Sequence, residues 1–519
     1  MKLRRPLTAL LATALLVAAG AACGGDSHPA PDDHAYSPHT LRVLASSELT
    51  DMQPLLEQAR KATGITVRPT WTGTLDAVEQ IATGEADSRY DAVWLSSNDY
   101  VRLRPGAAAK LTSQTSIMTS PVAIGVRAAT VRRLGWNPEN VTWSQVHQAV
   151  TAGHLTYGMT DPARSNSGFS ALISVTSALS GAQSALTDAD VKKATPRLKE
   201  FFKGQKLTSG SSGWLATAYS RRSSVDALIN YESVLLSLNR DSRTGLTVIR
   251  PRDGVVTADY PLSQLTSAPQ EAKDSLRTLT DYLRSPTAQQ ALTTATFRRP
   301  VVTSVHPAAG LTTAPRRELP FPGTKSVADG LLRSYENELR RPSRTVYVLD
   351  TSGSMDGDRL ARLKKALTTL TATFREREEV TLMPFGSSVK RITTHTVDPA
   401  HPASGQEAIR ADAAALSAAG GTAIYSSLEE AYGHLGSATD DVFTSIVLMT
   451  DGENTSGRHA SDFDAFYAAL PADSRNTPVF PILFGDADRS ELDHIAQLTG
   501  GRLFEGSLDG AFEEIRGYQ

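Results

Sequence analysis

The chain has 519 residues, room for roughly two to four domains, and its 40% hydrophobic and 21% charged residues are the proportions of a globular protein. Its 53 Lys and Arg nearly cancel 55 Asp and Glu, so composition gives nucleic-acid binding no electrostatic basis and excludes an acidic, solvating chain. The single cysteine, Cys23, excludes a disulfide within the chain and any site built from several cysteines.

The chain starts with a basic cluster, Lys2, Arg4 and Arg5, then an apolar run from Leu7 to Ala19, then Gly20, Ala21 and Ala22 before Cys23. Basic, apolar and small segments in that order read as a signal peptide over 1–22. The run is shorter than the about 20 apolar residues a membrane-spanning helix needs. Its end resembles a bacterial lipobox, with Gly20 standing where a branched apolar residue is usual. The resemblance implies that Cys23 is lipidated and that the mature chain sits outside the cytoplasm, held to the membrane by lipid alone. Residues 23–39, rich in Gly, Pro, Asp and Ser, read as a flexible tether in which His28, His34 and His39 are solvated.

Residues 40–312 alternate strand and helix. LRVLAS (41–46) reads as a strand, followed by Ser47 and a helix over 50–62 with Leu55, Leu56 and Ala59 on one face. ITVRPTW (65–71) leads through Thr72 and Gly73 to a helix over 75–83, and the strand YDAVWLS (90–96) ends in Ser97, Asn98 and Asp99. SPVAIGVRA (120–128) reads as a crossing strand, 142–150 as a helix capped by Thr142, and 154–174 as strand, polar loop and helix. A strand around Tyr231 and Glu232, a second crossing over 244–254, a strand over 258–265 and a helix over 270–284 complete the region. Such alternation implies parallel β-α-β units, which bind ligands beyond the carboxyl ends of their strands.

The strand ends Ser46-Ser47, Thr72-Gly73 and Ser96-Ser97-Asn98, the loop DPARSNSG (161–168), the Tyr231-Glu232-Ser233 segment and the tail PTAQQALTTATFRRP (286–300) together resemble the two-lobe periplasmic solute-binding proteins. The resemblance implies lobes at 40–118 plus 252–312 and at 121–248. It places a small polar solute between Ser46, Ser47, Thr72, Ser97, Ser167, Gly168, Tyr231 and Glu232. Glu232 in that cleft would oppose an anion, which disfavours phosphate, sulfate or molybdate. A scaffold that kept the fold and lost its ligand is the other reading.

Residues 313–342 form a linker around a helical stretch, 325–339. From 343 to 519 strands return at 344–350, 379–385, 443–450, 478–485 and 501–506, with helices over 358–375 and 406–418. This is the pattern of a doubly wound, Rossmann-like α/β domain. Asp350-Thr351-Ser352-Gly353-Ser354 follows its first strand, Gly420-Gly421-Thr422 comes later, and Thr450-Asp451-Gly452 closes the third. These three segments resemble the von Willebrand factor type A domain with its metal-ion-dependent adhesion site. The resemblance implies that Asp350, Ser352, Ser354, Thr422 and Asp451 hold Mg²⁺, with Mn²⁺ as a possible substitute. An all-oxygen set suits such a hard cation. Neutral hydroxyl ligands leave it electrophilic, so it seeks a Glu or Asp from a protein partner.

No GxxxxGK[ST], HExxH or GxSxG pattern occurs, so the expectation is binding and not catalysis. Two functions remain open. One is a cell-surface binding protein that engages a protein partner through Mg²⁺. The other is an extracytoplasmic solute receptor for a transporter or sensor, with the C-terminal domain as its docking module.

Overall fold

The computed structural model describes residues 39–221, 225–372, 374, 378–398, 401–436, 442–485, 487–506, 508–516 and 518. The signal segment, Cys23 and the tether before His39 lie outside the described residues. No helix among the described residues is long and apolar enough to cross a membrane.

In chain order the strands are β1 (Thr40–Ser46), β2 (Thr66–Thr72), β3 (Ala92–Trp94) and β4 (Leu111–Ser116), then β5 (Met118–Arg127), β6 (Tyr157–Thr160), β7 (Gln205–Ser209), β8 (Ala227–Tyr231), β9 (Leu246–Ile249), β10 (Thr257–Ala258), β11 (Pro261–Leu265) and β12 (Arg299–Pro300). They build two sheets. The first runs β2-β1-β3-β11-β4, with β1 parallel to β2 and β3 and with β11 antiparallel to both its neighbours. The second runs β10-β5-β8-β6-β7, and β9 and β12 also pair with β5. The chain passes between the sheets at Ile117 and again at Asp259–Tyr260. The two segments read as crossings, 120–128 and 244–254, are therefore β5 and β9, antiparallel partners inside the second lobe. Tyr260 has φ +43°, a left-handed backbone that a bulky residue adopts at a cost. Its carbonyl accepts from Trp94 Nε1 at 3.1 Å and its N–H donates to the Ser96 carbonyl at 3.0 Å, which hold the bend.

The linker belongs to the first region. Helix Lys325–Ser334 buries Val327, Ala328 and Leu331 in the same core as Phe169 and Phe202. Ahead of the helix, Val255 N–H donates to the Arg317 carbonyl at 2.9 Å and the Val255 carbonyl accepts the Leu319 N–H at 2.8 Å, and the Tyr100 hydroxyl of the first lobe donates to Asp329 at 2.8 Å.

The last region has β13 (Ser343–Asp350), β14 (Glu378–Phe385), β15 (Thr393–Val397), β16 (Phe443–Thr450) and β17 (Val479–Leu483) in the order β15-β14-β13-β16-β17. All pairs are parallel except the edge strand β15. β13 is apolar from Val346 to Leu349, where both its faces are covered. Tyr347 and Leu349 pack toward helices Asp358–Ala372, Pro402–Ala414 and Leu508–Arg516, while Val346 and Val348 pack toward Ile424–Leu435, Ala460–Ala469 and Arg489–Thr499. Residues 501–506 are not a strand: they make a single bridge, Phe504 to Ile482. Glu378 is buried between Arg340 and Arg516, with Arg516 reaching both its oxygens at 2.7 Å. This ties the linker, β14 and the last helix together.

Candidate metal and solute sites

β13 and β16 lie side by side and parallel, with Leu349 opposite Met449, so Asp350 and Thr450-Asp451 emerge together at the carboxyl edge of the sheet. Asp350 is fully buried. Its Oδ1 accepts the Ser352 N–H at 2.8 Å and its Oδ2 accepts the Thr450 hydroxyl at 2.6 Å. Burial pushes its carboxyl up and Asp451 adds to that, while the Ser352 and Thr450 bonds pull it down. The hydroxyls of Ser352 and Ser354 are 2.9 Å apart, and Ser354 donates to Asp451 Oδ1 at 2.9 Å. The third segment closes over them. Ala419 N–H donates to the Thr351 carbonyl at 2.8 Å and Gly353 N–H to the Gly420 carbonyl at 2.9 Å. Thr422 is clasped by Thr455, whose N–H reaches the Thr422 carbonyl and whose hydroxyl takes the Thr422 N–H, both at 2.9 Å.

The structure thus brings the three sequence segments to one edge. Two cations there escaped the sequence reading. Arg359 donates to Asp451 Oδ2 at 2.5 Å, and Lys390 Nζ donates to the carbonyls of Thr351 at 2.7 Å and Ser417 at 3.0 Å. Arg359 lies one residue into a helix whose polar face gives no sign of the site. The donor set is all oxygen, the chemistry a hard cation such as Mg²⁺ takes; here Ser352, Ser354 and Asp451 are hydrogen-bonded to one another at 2.9 Å.

In the first region, the lobes meet where β1, β3 and β8 end. The Leu75 N–H donates to the Arg164 carbonyl at 3.2 Å across the junction, and Arg164 lies 3.6 Å from Asp76. Ser46 Oγ contacts Thr74 Oγ1 at 2.8 Å and accepts the Ser96 N–H at 3.0 Å; Thr74 also contacts Ser96 Oγ at 2.9 Å. On the facing lobe, Ser167 Oγ contacts Thr160 at 2.8 Å, Ser165 at 3.2 Å and Ser212 at 2.7 Å. Tyr231 is fully buried and its hydroxyl accepts from Asn166 Nδ2 at 3.0 Å. Gly168 has a backbone role: a Cβ there would lie 2.3 Å from the Thr160 carbonyl, so only glycine lets helix Asn166–Ser180 start so close to β6. Thr72 is half-buried at the end of β2, opposite Ser46 in the register.

Two expected residues are turned to other work. Ser97 Oγ exchanges hydrogen bonds with the Asp99 carboxylate and N–H at 2.9 and 3.0 Å, in the turn that leads into the short helix Asp99–Arg102. The Glu232 carboxylate is held by Arg299 at 2.7 Å and lies 3.4 Å from Arg250. It is neutralised within the second lobe, so it does not set the charge of the cleft. That charge comes from Glu48, which follows Ser47 in the 3-10 helix Ser47–Met52. Burial pushes its carboxyl up to about 7, against the pull of Arg298 and Ser96, with Asp51 adding to the rise. Arg298, fully buried, grips both Asp51 oxygens at 2.8 and 2.7 Å and donates to the Glu48 carbonyl at 3.0 Å. An acidic residue just after a strand reads as an ordinary helix-start charge, which hid Glu48 in the sequence.

Residues 41–298 match the family model described as bacterial extracellular solute-binding protein, and residues 345–453 match that of the von Willebrand factor type A domain. The chain therefore joins a solute-binding-type domain to a von Willebrand factor type A domain. Among solved structures it is similar to the periplasmic binding protein AfuA from Actinobacillus pleuropneumoniae, at 12% identity over 58% of this chain and 98% of that one, with a TM-score of 0.48. The sulfate-binding protein SubI from Mycobacterium tuberculosis H37Rv matches at 16% identity over 57% and 97%, with a TM-score of 0.42. A von Willebrand factor type A protein from Catenulispora acidiphila matches at 21% identity over 34% of this chain and 42% of that one, with a TM-score of 0.29. No curated protein matches the chain.

Proposed function

We propose that this is an extracytoplasmic binding protein, lipid-anchored through Cys23, that engages a protein partner at a Mg²⁺ site on its C-terminal domain. The carrying observation is the convergence of Asp350, Ser352, Ser354 and Asp451 through hydrogen bonds of 2.8–2.9 Å, with the segment of Thr422 joined to them where the Gly353 N–H donates to the Gly420 carbonyl. Asp350 is pinned by the Ser352 N–H and Thr450, which orients the loop carrying Ser352 and Ser354. When bound, Mg²⁺ supplies an electrophilic position that a Glu or Asp carboxylate of the partner completes. Mn²⁺ has the same oxygen preference. The role is binding and not catalysis.

The placement of the domain supports this reading. Arg502 stacks 3.6 Å from the Trp214 ring of the solute-binding domain. The junction around it, a cavity of about 150 Å³, is lined by Phe443, Pro478 and Phe480 from the opposite end of the sheet. The metal edge is thereby left for a partner. A second reading, a solute receptor with the C-terminal domain as docking module, is favoured by the unpaired polar atoms in the interlobe cleft.

Thermal melts of the full chain in EDTA, Mg²⁺ and Mn²⁺, beside Asp451→Ala, test the proposal. Metal at about 100 times its dissociation constant adds about 2.7 kcal/mol to the domain that binds it, a rise of about 5–11 °C. The rise is expected in the wild type and absent in the variant. Equal melts with and without metal in the wild type would contradict the metal reading and shift the weight to the receptor.

A further inference from the structure

We infer that the interlobe cleft takes an amine, a cationic solute rich in hydrogen-bond donors, and that Ser47 and Glu48 receive it. This rests on reading the cleft as a solute site and adds the class of solute. β1 ends at Ser46, and the 3-10 helix that follows carries Ser47 and Glu48 to the face of the first lobe that meets helix Ser212–Arg221 of the second; a Cβ on Gly213 would lie 3.8 Å from the Ser47 carbonyl. Ser47 is 5% exposed and Glu48 8%. Ser47 Oγ and Glu48 Oε1 have no hydrogen-bond partner among the described residues.

Their neighbours are already committed. Ser46, Thr74 and Ser96 form one hydroxyl chain, and Thr160, Ser165, Ser167 and Ser212 form another. The Tyr231 hydroxyl takes the Asn166 amide. A buried carboxylate oxygen without a donor is a costly arrangement, and a donor arriving with the ligand relieves it.

The charge balance selects the class. The cation acting on Glu48 is Arg298, and its Nη1 is held by both oxygens of Asp51. Arg299 and Arg250 are engaged with Glu232. Arg298 and Asp51 cancel, which leaves Glu48 to set the net charge of the cluster, and a cation bound beside it favours its ionised form. An oxyanion entering here would meet that carboxylate, and the nearest guanidinium, Arg298, already gives its Nη1 to Asp51 and its Nη2 to the Glu48 carbonyl, with its Nε alone unpartnered. Tyr231 and Tyr260, with ring centroids 5.9 Å apart, both feel the Glu48 charge, and Arg298 lies over the Tyr260 ring at 4.9 Å, so this corner already holds a cation against an aromatic face.

The test is calorimetric titration of the full chain with three probe sets: the amines putrescine, ethanolamine, choline and lysine; the oxyanions sulfate and phosphate; and the neutral glucose and glycerol. The inference predicts saturable heat with an amine. It predicts a loss of roughly tenfold or more in affinity in Glu48→Gln, and a smaller loss in Ser47→Ala. The melting response of the C-terminal domain to Mg²⁺ and the circular dichroism of both variants report that the chain has folded. Binding of sulfate or phosphate but no amine overturns the inference and leaves the solute reading standing, as does an amine affinity unchanged in Glu48→Gln. No heat with any of the three sets overturns both.

Discussion

Burial holds the Glu48 carboxyl at about 7 when an unhindered glutamate ionises near 4.5, so the folded chain keeps a proton there that the unfolded chain has lost. Between those two values the native state binds more protons, and stability falls as pH rises. Above about 7 the loss is complete and amounts to at most about 3 kcal/mol. Of the groups facing Glu48, Arg298 stays charged and the phenols of Tyr231 and Tyr260 are pushed up by burial, while the Asp51 carboxyl is itself pushed up by burial and acts in the same direction in wild type and variant alike. Urea unfolding of wild type and Glu48→Gln at pH 5 and pH 8 should therefore show the variant gaining on the wild type at the higher pH. A gap that is the same at both values would contradict the assignment. At this scale the easiest expectation to read was that DTSGS, GGT and TDG meet, and the structure brings the three segments to one sheet edge. The solute residues were harder to read. Ser46 and Ser167 do reach the interlobe face, yet Ser97 is bonded to Asp99 and Glu232 pairs with arginines. Which way a polar side chain turns at a strand end depends on partners far away in sequence.

Among elements, apolar runs such as Tyr347–Leu349 and Ile446–Met449 were readable because both faces of a central parallel strand are buried. The edge strands β4, LTSQTS, and β15, TTHTV, were not, since each buries a single residue and alternates weakly. Helix Asp188–Phe202 was passed over as well. Its interior Pro196 and polar run mask it, although Thr187 and Asp190 form a capping box at its start. Conversely, GRLFEG carries the residues of a strand but is held at one bridge, Phe504 to Ile482. Helix Asn166–Ser180 offers a test. It is buried along almost its whole length, and it can start beside β6 because residue 168 lacks a side chain. Gly168→Ala forces a methyl against backbone that cannot yield, which should cost about 1–3 kcal/mol in urea unfolding and weaken solute binding with it. A variant as stable as the wild type would show that the helix start is free to shift.

At the scale of the whole molecule, sequence pattern indicated two α/β regions but left the ownership of the linker open. The structure gives it to the first region: helix Lys325–Ser334 packs in the core of the solute-binding domain, and Arg340 reaches across to Glu378 in the second. Its apolar stripe, with Val327, Ala328, Leu331 and Leu332 buried, announces a buried face without naming what covers it. The C-terminal domain docks through the end of its sheet opposite the metal residues, so the two candidate sites are separate and both belong to one chain. The measurement that bears most directly on the account is electron paramagnetic resonance of Mn²⁺ added to the full chain, with Mg²⁺ as competitor and with Thr422→Ala and Asp451→Ala as controls. The account predicts a saturable bound Mn²⁺ signal that Mg²⁺ displaces, that both variants weaken, and that changes when a carboxylate such as acetate is added. A spectrum of free Mn²⁺ at every ratio would contradict it.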